Sequence, residues 1–252
     1  MSQSLSGRVA LVTGGARGIG RGIALALAEA GADVALADLL EEQAQSVARE
    51  IQALGRRARV VRTDVTDRPQ VERAVQATVA HFGRLDIAVA NAARSVRAPF
   101  IKLSWDDAWA TFSVTLFGVW HTCQFAAQHM VRQGQGGKIV IISSIMSELA
   151  TPDSAAYNSA KAALNELGRT VANELTEYHI NVNIIQPGWI DTPGERLFFS
   201  EEEMREGGQR MPWGRLGQPE EIGRLARFLA SPEADYMTGS IVRMDGGLIM
   251  RM

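Results

Sequence analysis

The chain has 252 residues, 46% of them hydrophobic and 21% charged, with a formal net charge of -2. That balance suits a globular protein with a sizeable core, and it excludes a basic footprint for nucleic acid, an acidic tail and an apolar run of membrane length. The single cysteine, Cys123, excludes an internal disulfide framework, and the opening MSQSLSGR lacks the apolar core of a signal peptide, so a cytoplasmic protein in a reducing compartment is expected.

Val9–Thr13 (VALVT) reads as a short buried strand, followed at once by GGARGIG and a helical Ala/Leu pattern reaching Gly31. Gly14, Gly18 and Gly20 form Gly-x-x-x-Gly-x-Gly across that strand-to-helix turn. Glycines accept positive φ there and let the backbone approach a pyrophosphate, while the helix N-terminus offers free N–H groups and partial positive charge. Glycine turns also serve plain helix–sheet packing. The strand before, the helix after and a second strand at Asp33–Asp38 complete the unit a dinucleotide site requires. Asp38 closes that second strand eighteen residues after Gly20. A carboxylate there hydrogen-bonds the ribose 2′-hydroxyl of NAD and repels the 2′-phosphate of NADP. Arg17, inside the turn, argues the other way, because a guanidinium can pair with a 2′-phosphate. One fixed carboxylate outweighs one mobile arginine, so NAD is expected and NADP is the less favoured cofactor.

The pattern then repeats without a linker. A charged helix at 41–54 precedes a strand at 59–65 that ends in Asp64–Val65, where the carboxylate can either accept from an adenine amino group or cap the next helix. A helix at 69–82 and a fourth buried strand at 85–93 (LDIAVANAA) follow, and then a long helix at about 104–132 that contains Cys123. Residues 139–142 (IVII) read as a central strand ending in Ser143 and Ser144. Open α/β sheets present ligand groups at such strand ends. A loop with Pro152 leads to a helix opened by Asp153 or Ser154, which carries Tyr157 and Lys161 four residues apart on one face. A phenol beside an ammonium is a tunable acid, since the positive charge favours the phenolate and lowers the tyrosine from about 10. With a serine hydroxyl it can polarise a carbonyl and exchange a proton with it. On its own, Tyr-x-x-x-Lys is common on amphipathic helices.

A strand at 180–186 ends in PGWIDTPG. Residues 197–215 are the least regular segment, with an acidic run at Glu201, Glu202 and Glu203 and glycines at 207 and 208; they make a candidate lid. A helix at 219–231 begins with proline, and a last strand at 240–245 leads to Gly246, Gly247 and an apolar tail, Leu248 to Met252. His81, His121, His129 and His179 are scattered, so no metal site is expected. Strands alternating with helices imply one doubly wound, Rossmann-like parallel α/β sheet of about seven strands, with helices on both faces and a single domain over residues 1–252.

Together, TGGARGIG at positions 13–20, Asp64, Asn91 and Ser144…Tyr157…Lys161 resemble the short-chain dehydrogenase/reductase family in its single-domain form. The thirteen-residue interval from serine to tyrosine matches the family and selects Ser144 over Ser143. The resemblance implies Tyr157 as general acid/base, Lys161 on the nicotinamide ribose, and Ser144 on the substrate oxygen. It implies Gly14, Arg17, Gly18, Ile19, Gly20 and Asp38 around the cofactor, Asp64 and Val65 at the adenine, and Asn91 along its central portion. Pro187, Gly188, Ile190 and Thr192 would lie over the nicotinamide, with an insertion at about 194–215 folding over substrate. Met146, Trp189, Leu197, Phe198 and Trp213 suggest a partly apolar substrate pocket, and the apolar tail fits burial in a homotetramer. Two departures stand out. Ala90 and Ala93 replace the usual Asn and Gly around Asn91. Thr115 stands where the family has a fourth catalytic asparagine, with one donor instead of two; the bland reading is a core threonine bonding its own i−4 carbonyl.

The resulting expectation is an NAD(H)-dependent oxidoreductase acting on a secondary alcohol or ketone (a sugar, polyol or simple alcohol). An NADPH-dependent reductase of 3-oxoacyl thioesters is the alternative favoured by Arg17. A cofactor-sensing or scaffolding protein is the alternative from another class, motivated by Thr115, Ala90 and Ala93.

Overall fold

Short apolar strands separated by helices pair in parallel, because each crossover returns the chain to the same end of the sheet. The computed structural model describes residues 4–251 and follows this pattern throughout. Residues 1–3 of the opening segment and Met252 of the tail lie outside the described residues. One seven-stranded sheet, all parallel, runs in the order β3-β2-β1-β4-β5-β6-β7. Its strands are β1 (Val9–Thr13), β2 (Asp33–Asp38), β3 (Ala58–Arg62), β4 (Ile87–Ala90), β5 (Gly137–Ile142), β6 (Ile180–Pro187) and β7 (Ile241–Met244). The helices are α1 (Gly18–Glu29), α2 (Glu41–Ala53), α3 (Arg68–Phe82), α4 (Trp105–Phe112), α5 (Gly118–Gln133), α6 (Ala155–Leu175), α7 (Glu201–Arg210) and α8 (Pro219–Ala230).

The period-two alternation of a strand splits the core into two layers. Ala10 and Val12 of β1, Val34 and Leu36 of β2, and Val140 and Ile142 of β5 pack towards α1, α2 and α8. Their neighbours Val9 and Leu11, Ala35 and Ala37, and Ile139 and Ile141 pack towards α3, α5 and α6. Strands buried on both faces are therefore continuous apolar runs, which is why they are readable from sequence. Among the described residues, no helix is long and apolar enough to cross a membrane, and no His/Cys/Asp/Glu group could hold a metal ion.

Three expected elements differ in instructive ways. The strand expected at 59–65 stops at Arg62, because Asp64 accepts from the N–H and hydroxyl of Thr66 and turns the chain. The cap of α3 is Asp67, accepting from Gln70 N–H, so Asp64 does not cap that helix. The long helix at 104–132 is interrupted: α4 ends at Phe112, Ser113–Phe117 forms one π-helical turn, and α5 resumes at Gly118. The supposedly irregular 197–215 segment contains α7, started by a capping box in which Ser200 and Glu203 satisfy each other's backbone N–H groups. That Ser-x-x-Glu signal is present in the sequence but was masked by the acidic run and paired glycines.

Because β1 lies between β2 and β4, the chain leaves the sheet in opposite directions on either side of β1–β4. A crevice opens there at the C-terminal strand ends, where open α/β sheets bind ligands.

Candidate active site

The β1–α1 turn forms one wall of this crevice. Gly14 and Gly18 have φ of 65° and 53°, conformations costly for any residue with a Cβ. A Cβ on Gly14 would come within 2.9 Å of the Ala92 backbone, and one on Gly18 would meet Thr192 at 3.4 Å. A Cβ on Gly20 would collide with the Gly14 carbonyl oxygen, so that glycine serves the packing of the turn itself. Arg17 is the N-cap residue of α1 and makes no side-chain cap, which leaves the first amides of the helix open to the crevice. Ile19 is part-buried beside them. Asn91 braces the turn: its Nδ2 donates to Thr13 O and Gly14 O, both at 3.0 Å, and its N–H donates to Thr13 Oγ1 at 3.1 Å. Ala90 is wholly buried in β4, whereas Ala93 is exposed.

Asp38 sits at the end of β2. One carboxylate oxygen accepts from Ala16 N–H inside the glycine turn and the other from Leu40 N–H, each at 2.9 Å. These two amides fix the carboxylate while leaving lone pairs free for a ligand hydroxyl. Arg17 is exposed, and its side chain makes no hydrogen bond or ion pair among the described residues.

On the other side of the crevice, β5 and α6 clamp each other. Ser143 Oγ donates to Lys161 O at 3.0 Å, and Lys161 Nζ donates to Ile142 O at 2.7 Å. Ser143 is thereby committed to structure. Ser144 Oγ accepts from Met146 N–H at 3.1 Å and stands beside the Tyr157 phenol. Lys161 is fully buried, with Nζ 5.5 Å from the Tyr157 ring centroid. The expectation that this ammonium lowers the tyrosine is corrected by the structure. Burial pushes the Tyr157 phenol up to about 12, with Glu195 adding to the rise and Ser144 and Arg97 opposing it. Burial pushes Lys161 down to about 7. Both shifts disfavour charge through burial, complete for Lys161 and partial for Tyr157, and the nearest partner of Nζ is a neutral carbonyl.

Thr115 lies in the π-helical turn and is fully buried. Its hydroxyl donates to Arg94 O at 2.8 Å and accepts from Arg94 N–H at 3.0 Å. It does not bond its own helix, so the bland expectation is corrected: Thr115 pins the loop after β4. Val65 packs against Gly118 just beyond it.

The roof comes from the segment after β6. Pro187 ends that strand, and Gly188 N–H donates to Met244 O. An isolated bridge with Gly217 uses Trp189 O and Asp191 N–H, leaving the backbone polar groups of the intervening Ile190 outside it. Thr192 closes over Gly18. Of the apolar candidates, Met146 is part-buried and its sulfur accepts from Thr151 Oγ1. Trp189 and Phe198 are part-buried, while Leu197 and Trp213 are exposed at 73% and 71%. Sequence reasoning passed over Phe199, whose ring packs 4.9 Å from that of Trp189, and the pair Arg97 and Glu195, whose charges bear on Tyr157. Nothing local marks that pair, since its members lie almost a hundred residues apart. A cavity of about 920 Å³ opens at the N-terminal strand ends, where Arg8 pairs with Asp86 and Lys138 with Asp235, and it holds none of these groups.

A family model described as enoyl-(acyl carrier protein) reductase matches residues 14–249. A 3-oxoacyl-(acyl-carrier-protein) reductase from Thermotoga maritima is 36% identical, over 98% of this chain and 99% of the relative. An L-rhamnose 1-dehydrogenase (NAD(P)(+)) from a Sphingomonas species is 38% identical, over 98% of each. Among solved structures, a short-chain type dehydrogenase/reductase from Mycobacterium marinum superposes with a TM-score of 0.93 at 36% identity, over 98% of this chain and 97% of that one. A 7α-hydroxysteroid dehydrogenase complexed with NADH and 7-oxo glycochenodeoxycholic acid superposes with a TM-score of 0.92 at 34% identity, over 98% and 96%.

Proposed function

This chain belongs to the short-chain dehydrogenase/reductase family, NAD(P)-dependent enzymes acting on CH–OH groups, and we propose that it uses NAD(H) to interconvert a secondary alcohol and a ketone, with Tyr157 as general acid/base. The observation that supports this reading is that Ser144 follows the C-terminal end of β5 beside Tyr157 and Lys161 of α6, while the uncapped α1 starts from the C-terminal end of β1 in the same parallel sheet.

The residues of the crevice fit a nicotinamide dinucleotide. Gly14 and Gly18 leave a cradle that a Cβ would fill, and the uncapped first turn of α1 offers N–H groups to a pyrophosphate. Asp38 is held where an adenosine ribose would meet it, with Asp64 and Val65 flanking the adenine. Asn91 keeps the turn in shape for the cofactor's central portion. Pro187, Gly188, Ile190 and Thr192 would cover the nicotinamide, and Lys161 would hydrogen-bond its ribose. A bound nicotinamide supplies the hydride acceptor or donor; the protein supplies geometry and charge. Ser144 donates to the substrate oxygen. Tyr157 passes its proton to that oxygen during reduction and takes it back during oxidation. Thr115 keeps the loop after β4 in place and so acts on the site through Arg94. Met146, Trp189 and Phe198 line the substrate side, with Leu197 at its rim.

The tethered carboxylate of Asp38 supports NAD over NADP. The second reading, an NADPH-dependent reductase of 3-oxoacyl thioesters, is favoured by one observation, the unpaired and exposed Arg17. The proposal extends to one cofactor-binding domain over residues 1–252 of each chain, assembled as a cytoplasmic homotetramer. It is supported by the buried free thiol of Cys123 and by exposed Trp105, Trp109 and Trp120 on α4 and α5, with Met250 exposed near the end of the chain. Light scattering after size exclusion checks the assembly.

A panel of sugars, polyols and secondary alcohols, followed by NADH formation, tests the activity. Turnover of at least one with NAD is expected. Tight NADH binding with no turnover of any would sink the enzyme reading in favour of a non-catalytic sensor, and clear NADPH preference in a fluorescence titration would sink the cofactor assignment.

A further inference from the structure

Three loops meet above Tyr157, and their ties form a polar element that the catalytic scheme does not use. Ala98 N–H of the loop after β4 donates to Asp153 O in the turn before α6, at 2.9 Å. Arg97, next to it, reaches Glu195 of the segment after β6, with 3.8 Å between guanidinium nitrogen and carboxylate oxygen. The guanidinium carbon stands over two rings, 4.4 Å from the centre of Phe198 and 4.7 Å from that of Phe199. Phe199 in turn packs on Trp189, whose buried indole N–H is directed at the Glu195 carboxylate without reaching full hydrogen-bond geometry.

This arrangement has unspent bonding capacity. At 3.8 Å the ion pair is too long for hydrogen bonds, and Arg97 has no other polar partner among the described residues. Glu195 is part-buried, and loss of hydration pushes its carboxyl above the usual range. A carboxylate acceptor and a guanidinium donor thus stand together beside the reacting phenol. A hydroxyl group both donates and accepts, so neighbouring hydroxyls of one molecule match both, while the ring faces of Phe198 and Phe199 suit its C–H groups. A monoanion would match Arg97 but would lie against the Glu195 carboxylate.

We propose that Glu195 and Arg97 are specificity-determining residues that bind hydroxyls flanking the reacting carbon, making the substrate a polyhydroxylated secondary alcohol, either a sugar or an open-chain polyol. The inference rests on the alcohol-oxidising reading and names its substrate class. A monofunctional alcohol leaves these polar groups unpaired, and sites built to hydrogen-bond a substrate hydroxyl discriminate strongly against analogues that lack it.

The test measures kcat and KM with NAD for a hexitol and for 2-butanol in the wild type, Glu195→Gln and Arg97→Met, the last keeping an unbranched stem between the phenylalanines. The ratio of kcat/KM for hexitol over 2-butanol is expected to fall about tenfold or more in each variant, mainly through KM for the hexitol. NADH affinity by fluorescence reports whether the variants remain folded with the opposite wall intact. An unchanged ratio in folded variants overturns the inference. So does the pattern of an anion site, in which Glu195→Gln raises and Arg97→Met lowers turnover of 3-hydroxybutyrate relative to the hexitol. A wild type that binds NADH yet oxidises no alcohol defeats the functional reading before any variant is made, and the substrate assignment falls with it.

Discussion

At the β1–α1 turn, main-chain groups hold the wall together: Asn91 donates to two backbone carbonyls, Asp38 accepts from two backbone amides, and glycines bring the strands of the turn into contact. Across the crevice, Arg97, Glu195, Phe198, Phe199 and Trp189 hold one another side chain to side chain. A wall built on backbone accepts few residue types, because positive φ and missing Cβ atoms leave no choice. A wall of side chains can exchange its members while the loops stay in place, which suits a surface that must vary with substrate while its opposite keeps one ligand.

The sharpest division between the walls should come from Tyr157→Phe. It removes only the proton carrier, so turnover should fall by about 10²–10⁴-fold, the usual range for a general acid/base, while NADH affinity stays within about twofold. Loss of NADH binding in step with turnover would show that the two walls are not separable in this way. Next in size is Asp38→Asn, which keeps the shape of the tethered group and removes its charge. The preference for NADH over NADPH should drop by about tenfold, about 1.4 kcal/mol, with the substrate KM little changed. An unaltered cofactor preference would move the assignment from Asp38 to Arg17.

Thr115→Val tests the seam where the two walls join. It keeps the side chain's shape while Arg94 N–H and C=O lose their partner. Since Arg94 is exposed and water can replace one bond, about 1–2 kcal/mol of stability should be lost in urea unfolding. The last prediction is a pH dependence. Lys161 titrates near 7 in the folded protein against 10.5 unfolded, so between those values the unfolded chain binds more protons and stability rises with pH. Tyr157 is raised, from 10 to about 12; its contribution is complete below 10 and is lost as pH rises from there. Urea midpoints at about pH 7.5 and pH 9.5 should therefore increase, and Lys161→Met should flatten the increase. A wild-type midpoint that falls over this range would mean the lysine stays protonated in the fold.

The sequence was a good guide wherever one residue type is forced by its immediate surroundings. The strands β1, β2 and β5 are buried on both faces and so read as apolar runs, and the turn glycines declare themselves through spacing. The interrupted helix was not legible, because nothing in Ser113–Phe117 is a helix breaker; the irregularity comes from Thr115 bonding a distant loop. The pKa pattern of Tyr157 and Lys161 was misjudged because sequence gives their separation along a helix but not the depth at which both are buried. Arg97 and Glu195 were invisible for a related reason: only folding brings residues from the β4 and β6 loops to the same phenol.

The π-helical turn at Ser113–Phe117 also fixes a phase. A turn of this kind carries one residue more than an α-helical turn, and each residue of an α-helix advances about 100° about the axis. Removing the surplus residue would leave an ordinary α-helical turn with the later residues on their present faces, whereas straightening the turn with every residue kept would swing everything from Gly118 onward by about that angle. Gly118 would then turn its bare backbone away from Val65. One surplus residue thus sets the rotational timing between the loop that Thr115 anchors and the aromatic face that α4 and α5 present outside, so straightening that turn would be felt at both places together.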